Sequence, residues 1–77
     1  MEKISVNEPI KNLIDKHPQI KEIMLSLGFK HIVDPLMLNT VGRIMTIKLG
    51  SKKQKLDLEV IKTKFLEKGF LLEDNNE

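Results

Sequence analysis

The segment PQIKEIMLSLGF, residues 18–29, decides the fold class of this chain. Its large apolar residues follow the i, i+3, i+4, i+7 spacing of one helix face: Ile20, Ile23, Met24 and Leu27. Pro18 suits the first turn of a helix, where its missing N–H costs no hydrogen bond. Gly28 suits the left-handed position after a helix, and Phe29 is placed to fold back onto Met24. The segment therefore predicts a helix over residues 18–27 with both ends marked.

The same signals for helix starts and ends predict four further helices. Three of them span residues 9–16, 47–53 and 58–68, and the fourth begins at residue 35 and ends between residues 43 and 45. Asp34, Thr46 and Asp57 are favoured N-caps, whereas Glu8 and His17 are weaker ones. Three of these helices have an apolar face that is expected to point inward: Ile10, Leu13, Ile14, Leu38, Val41, Met45, Leu58, Ile61 and Phe65. Gly42 marks either a close packing contact or an early helix end.

These elements predict an all-α domain, a compact orthogonal bundle of about five short helices. Residues 1–77 form one domain, with an ordered core over about 4–72 and a frayed acidic tail over 73–77. Gly69 and Phe70 repeat the helix ending of Gly28 and Phe29. The short apolar segments 4–6 and 70–72 are able to extend and pair, which would not change the fold class.

The composition excludes several classes of protein. A chain of 77 residues buries only about 60% of its unfolded surface. It has no cysteine, so disulfides and thiolate zinc sites are excluded. No apolar run approaches the ~20 residues of a membrane span, and residues 1–5 lack the apolar core of a signal peptide. We therefore expect a soluble cytoplasmic domain that does not enter a membrane.

No catalytic constellation is recognisable. The only imidazoles, His17 and His31, are not tied by any motif to a serine or threonine nucleophile. His31 and Asp34 would make an incomplete metal site, and no glycine-rich phosphate loop occurs. The sequence therefore predicts no enzyme activity and no cofactor.

Two groups of residues are candidates for binding. The first is a basic segment without an acidic residue: Arg43, Lys48, Lys52, Lys53 and Lys55. It is either a solvated helix surface or a face for phosphates or an acidic partner. The next helix begins with Asp57 and Glu59, which is unlike a DNA-recognition helix. The second group is the connector after the second helix, where Phe29, His31 and Asp34 offer a pocket for a small ligand or metal.

The methionines allow two interpretations. Met24, Met37 and Met45 fall at core spacing, which favours simple core filling. Flexible methionine side chains also suit an adaptable binding groove. Because so small a core leaves apolar surface exposed, self-association or peptide binding is the alternative.

Several segments in order carry a family resemblance: residues 4–7, the helix pair ending at 27–29, then 38–43, 45–47 and 56–59. Together they resemble the small bacterial domain of unknown function numbered 1858. They are also similar to the N-terminal segment of proteins with hemerythrin-like and PAS-like domains. The resemblance implies a compact five-helix fold and no established activity. Many relatives carry cysteines in or after the connector that here spans 30–34. This chain has no cysteine, so the thiol or iron–sulfur chemistry that those cysteines suggest does not transfer to it.

The leading functional hypothesis is a non-enzymatic interaction or accessory module that docks to another protein or to itself. The family's neighbours suggest a redox or nitrosative-stress pathway. The alternatives are a nucleic-acid-binding module using residues 43–55, and a small-ligand or metal sensor near residues 29–34.

Overall fold

The computed structural model describes residues 1–30 and 34–74, which are mostly helical. The elements in chain order are β1 (Glu2–Ser5), α1 (Ile10–Lys16), α2 (Ile20–Ser26), α3 (Pro35–Thr40), a 3₁₀ turn (Val41–Arg43), α4 (Ile47–Gln54), α5 (Leu58–Glu67) and β2 (Phe70–Glu73). The described residues thus contain the five predicted helices and a two-stranded pairing near the ends of the chain.

Three helices begin at the predicted N-caps. The side chains of Asp34, Thr46 and Asp57 accept hydrogen bonds from backbone N–H groups of the following turn, at 2.9, 3.1 and 2.9 Å. Each bond satisfies one of the N–H groups that a helix start leaves without an internal partner. Pro35 stands at the first turn behind Asp34, as predicted.

The start of α1 differs from the prediction. Pro9 is the N-cap in an extended conformation, and α1 begins at Ile10. The N–H of Ile10 donates to the carbonyl of Met45 at 2.8 Å, so a distant segment satisfies this helix start. Glu8 does not cap the helix, and its carboxylate instead lies 2.9 Å from Nζ of Lys16.

The start of α2 also lies later than predicted. Pro18 is part of a turn, and the α-helix begins at Ile20. His17 was predicted as an N-cap of this helix, but it is the C-cap of α1, with its N–H donating to Leu13 at 2.8 Å. Its carbonyl accepts from the N–H of Ile20 at 2.9 Å, which joins the two helices directly.

The end of α2 has the predicted geometry. Gly28 has a φ of +95°, a conformation that L side chains rarely adopt. The N–H of Phe29 donates to Met24 at 3.1 Å, and the N–H of Gly28 donates to Leu25 at 3.0 Å. These two bonds are the pair that defines a Schellman ending, which turns Phe29 back towards the helix.

Helix α5 ends on the related residue Gly69, whose φ is +91°. Its N–H donates to Leu66 at 3.0 Å. The ring of Phe70 then meets Phe65 edge-on, with the ring centroids 6.3 Å apart. The predicted contact between these two rings is confirmed.

Helix α3 is shorter than predicted. The α-helix ends at Thr40 and the chain continues as the 3₁₀ turn to Arg43. A Cβ atom at Gly42 would lie 2.9 Å from Cδ1 of Leu38, closer than real side chains allow. Glycine therefore allows a close approach at the point where the helix tightens.

The strands β1 and β2 pair in parallel, with Glu2 opposite Phe70 and Ser5 opposite Glu73. The N–H of Val6 extends the ladder by donating to the carbonyl of Glu73 at 2.9 Å. β2 alternates buried and exposed residues, and Ile4 is the buried residue of β1, so Ile4, Phe70 and Leu72 join the helical core. The predicted extended pairing therefore exists, and its direction is parallel.

The predicted frayed tail over 73–77 starts too early. Glu73 belongs to β2, and the carboxylate of Asp74 lies 3.3 Å from Nζ of Lys48. Residues 75–77 lie outside the described residues.

The core is built from both strands and all five helices of the described chain. Its members are aliphatic or aromatic, with one methionine: Ile4, Val6, Ile10, Leu13, Ile14, Ile20, Ile23, Met24, Phe29, Leu38, Ile47, Ile61, Phe65, Phe70 and Leu72. Val41, Met45 and Leu58 pack against this core but remain partly exposed. Val41 and Met45 therefore leave apolar surface exposed between α3, the 3₁₀ turn and α4.

Candidate functional site

An apolar depression of about 320 Å³ lies between α4 and the segment formed by α3 and the 3₁₀ turn. We call it the methionine groove. Its lining consists of five apolar residues and two exposed polar ones: Phe29, Met37, Val41, Met45 and Gly50, with Lys53 and Gln54. Its size lies at the lower end of the range of about 300–1,000 Å³ for ligand pockets. A few apolar side chains of a partner would occupy such a space.

The wall of the groove rests on a contact between Phe29 and Gly50. A Cβ atom at Gly50 would lie 2.8 Å from Cε1 of the Phe29 ring. The ring is 6% exposed, so it is held by the core on its other sides. The absent side chain of Gly50 therefore lets the ring sit against the backbone of α4.

Three exposed aliphatic residues immediately precede lining residues in the sequence. Leu36 is 72% exposed, Ile44 is 75% exposed and Leu49 is 51% exposed. They come directly before Met37, Met45 and Gly50. Their side chains are not among those that line the groove, but they add exposed apolar surface to the segments that form it.

The five basic residues predicted as a patch have different surroundings. Lys48 lies 3.3 Å from the Asp74 carboxylate, and the Nε–H of Arg43 donates to the carbonyl of Asn39 at 2.7 Å. The other three are exposed at the C-terminal end of α4: Lys52, Lys53 and Lys55. Cations are favoured at this end of a helix by the helix dipole. Lys48 thus has a charged partner, whereas Arg43 and the three lysines at the end of α4 are exposed cations, of which Lys53 lines the groove.

The acidic residues nearest in sequence to the basic segment have structural roles. Asp34 and Asp57 accept the backbone hydrogen bonds that cap α3 and α5. Between them the sequence contains no Asp or Glu. The lysines at the end of α4 therefore place positive charge beside the groove.

The predicted connector pocket is only partly described. Phe29 is buried and contributes to the methionine groove, while Asp34 uses its carboxylate as the cap of α3. His31 lies outside the described residues, so the connector pocket remains a prediction.

His17 is half-buried, in contrast to a fully solvated role. Its ring meets Phe70 edge-on at a centroid distance of 5.2 Å. Its Nε2 atom lies 3.7 Å from Oε2 of Glu2. These contacts hold α1 against the two strands and give the imidazole a packing role.

Within residues 1–30 and 34–74, no three His, Asp or Glu side chains converge to hold a metal ion. In the same part of the chain, no helix has the length and apolar character needed to cross a membrane.

A family model and a solved structure both match this chain. The family model described as a domain of unknown function, DUF1858, matches residues 4–62. The chain belongs to the DUF1858 family. The matched segment runs from β1 into α5, so it contains every residue that lines the methionine groove. No functionally curated protein matches the chain.

A solved structure has the same architecture as this DUF1858 domain. It is the crystal structure of a conserved domain protein from Streptococcus pneumoniae TIGR4, with 37% sequence identity and a TM-score of 0.88. The alignment covers 95% of this chain and 92% of that chain. The similarity therefore extends to the strands at both ends as well as to the helices.

The methionines in the sequence pointed to a groove, but the sequence did not decide between core filling and a binding surface. Met24 is fully buried, whereas Met37 and Met45 line the groove, so the two interpretations of the methionines apply to different residues. Leu36 and Ile44, beside Met37 and Met45, are the stronger signal, because large apolar residues at adjacent positions cannot all face one core.

Proposed function

We propose that this DUF1858 domain is a non-enzymatic protein-interaction module whose docking surface is the methionine groove. The observation that carries the proposal is the open apolar groove lined by two partly exposed methionines, Met37 and Met45. Leu36, Ile44 and Leu49, each next in sequence to a lining residue, are also exposed. The proposed occupant is the apolar face of a helix from a partner protein. Such a helix would lie along α3 and α4 in the manner of other helix-in-groove complexes.

The expected affinity is modest. Burying a large aliphatic side chain stabilises a complex by about 1.5–3 kcal/mol, and the three exposed residues are partly covered already. Association itself costs at least about 4 kcal/mol in lost translational and rotational freedom. The groove thus supports a reversible accessory contact, with the cytoplasm as its expected location.

Nucleic-acid binding has less support. Lys48 has an internal partner in Asp74, and the exposed cations of the predicted patch are Arg43 and the three lysines at the end of α4. Helix α5, which follows them, has Asp57 as its N-cap and Glu59 in its first turn, which is unlike a DNA-recognition helix. Titration with duplex DNA at low and moderate salt tests this alternative, as salt-sensitive binding would favour it.

Sensing of a small ligand or metal near residues 29–34 is the third candidate. A thermal-shift screen with metals, haem and small anions tests it, because a ligand that binds only the folded state raises the melting temperature.

Site-specific photo-crosslinking in cells tests the proposed docking surface. A photoreactive residue replaces Ile44, beside the groove, and in a matched variant replaces Leu66 on α5, which is also exposed at 47%. We expect a discrete adduct from position 44 that is absent from position 66, and the same adduct weakened by Met45→Gln. Equal labelling at both positions would overturn the proposal, as would an adduct consisting only of a second copy of this chain.

A further inference from the structure

We infer that the partner segment is an acidic amphipathic helix, with apolar residues in the methionine groove and carboxylates over the lysines at the end of α4. This inference rests on the proposed function and adds the charge and the secondary structure of the partner. It joins two features that neither the family nor the similar structure explains: the groove and the adjacent lysine cluster.

The charge of the surface favours a negative partner. Lys53 lines the groove, and Lys52 and Lys55 are exposed close to it in sequence. Between Asp34 and Asp57 the sequence contains no Asp or Glu. An incoming Glu or Asp would meet the ammonium group of Lys53 at the groove, whereas a basic segment would be repelled there.

The lining of the groove favours a helix over an extended strand. Met37 and Val41 are four residues apart on one side, and Gly50 and Gln54 are four apart on the other. These residues belong to helical segments whose backbone groups are already used in internal hydrogen bonds. A strand would need unpaired backbone groups beside it, whereas a helix needs only apolar side chains.

The methionines favour a helix with a short apolar stripe rather than one defined large anchor. Met37 and Met45 are partly exposed and have several rotatable bonds, so they adapt to leucine, isoleucine or methionine side chains. The groove of about 320 Å³ holds a few such side chains and not a whole helix. The polar face of the partner would therefore remain outside, within reach of the lysines.

Synthetic peptides test the inference by fluorescence anisotropy with the full chain. The first peptide is a 15-residue helix with leucines at i, i+3, i+4 and i+7 and glutamates on its flanks. The second replaces every glutamate by glutamine, and the third keeps the glutamates but replaces the leucines by serine. We expect the first to bind at least about fivefold tighter than the second at low salt, because a few exposed ion pairs each contribute modestly. The ratio is expected to approach one in about 0.5 M salt.

Two protein variants locate the contacts. Lys52→Gln with Lys53→Gln is expected to remove the preference for the acidic peptide, whereas the matched pair Lys62→Gln and Lys64→Gln on α5 leaves it unchanged. Met45→Gln is expected to weaken both leucine peptides, with a thermal melt of each variant showing that it is folded.

The possible results separate the two proposals. If both leucine peptides bind equally and Met45→Gln weakens both, the inferred charge is wrong and the groove proposal stands. If the serine peptide binds as tightly as the acidic leucine peptide, charge alone attracts it and the inference is overturned. If the leucine peptides bind but Met45→Gln has no effect, both the groove and the inference are wrong.

Discussion

Substitution of Gly50 by alanine has two opposing effects on the stability of the domain, and both come from the added Cβ atom. In the interior of α4 alanine favours the helix over glycine by about 1 kcal/mol. The new Cβ would lie 2.8 Å from Cε1 of Phe29, whereas ordinary van der Waals contact begins near 3.4 Å. Overpacking of this kind costs about 1–3 kcal/mol, because the ring is held by the core.

The overpacking therefore outweighs the gain in helix propensity. We expect Gly50→Ala to destabilise the domain by about 1 kcal/mol, which lowers the melting temperature by about 4–8 °C in a domain of this size. The Phe29 ring can shift into the groove to relieve part of the overlap. The methyl resonances of Met37 and Met45, which line the groove, should then shift because the ring current of Phe29 moves with the ring. Thermal unfolding and spectra of methyl-labelled methionine measure the two effects.

The same substitution in a Phe29→Leu background provides the control. Leucine has no atom at the position of Cε1, and the ring atom Cδ1, which has a counterpart in leucine, lies 3.6 Å from the added Cβ. Alanine should then be neutral or stabilising by up to about 1 kcal/mol. The four melting curves form a double-mutant cycle with an expected coupling of about 1–2 kcal/mol. If Gly50→Ala raises the melting temperature equally in both backgrounds, the contact has no energetic role and the reasoning is refuted.

Substitutions at three further positions test the ends of the helices and of the chain. Gly28→Ala should cost about 1–2 kcal/mol in urea unfolding because its positive φ disfavours an L side chain, and Gly28→Asn should cost less; equal costs would contradict this. Asp57→Ala should cost about 1 kcal/mol through loss of its bond to the N–H of Glu59, while Asp57→Asn retains most of the stability. Lys48→Met should cost less than about 1 kcal/mol through loss of the pair with Asp74, and the difference should shrink in 1 M NaCl; a salt-independent loss would show that packing dominates.

Local chemistry predicts most of the helical architecture. Asp34, Thr46 and Asp57 act as caps because a short oxygen-bearing side chain can reach an N–H only a few residues away. Gly28 and Gly69 end helices because the required φ is positive there. These features depend on neighbouring residues alone, so the sequence reveals them.

The features that depend on distant residues could not be predicted in detail. Pro9 is displaced from the first helical position, where Ile10 binds the carbonyl of Met45, a residue far along the chain. The parallel direction of the strands and their register also follow from the packing of everything between them.

In the candidate site, too, local features could be predicted, whereas those that depend on distant residues could not. Lysines in a run predict positive charge, but the pairing of Lys48 with Asp74 removes one member through a contact between distant segments. The spacing of Met37 and Met45 is compatible with a core, and only the shift from α3 to the 3₁₀ turn determines that they line a groove. Sequence patterns identify these residues, whereas tertiary packing decides which of them are available to a partner.

The parallel ribbon has a consequence for synthesis on the ribosome. β1 leaves the exit tunnel first, yet its partner is β2, and the five helices lie between them in the chain. At elongation rates of about 5–20 residues per second, β1 must wait on the order of several seconds for its partner. The helices form through local contacts during that interval. Phe70 and Leu72 join the core only after β2 emerges, so the domain closes only when this strand has left the tunnel.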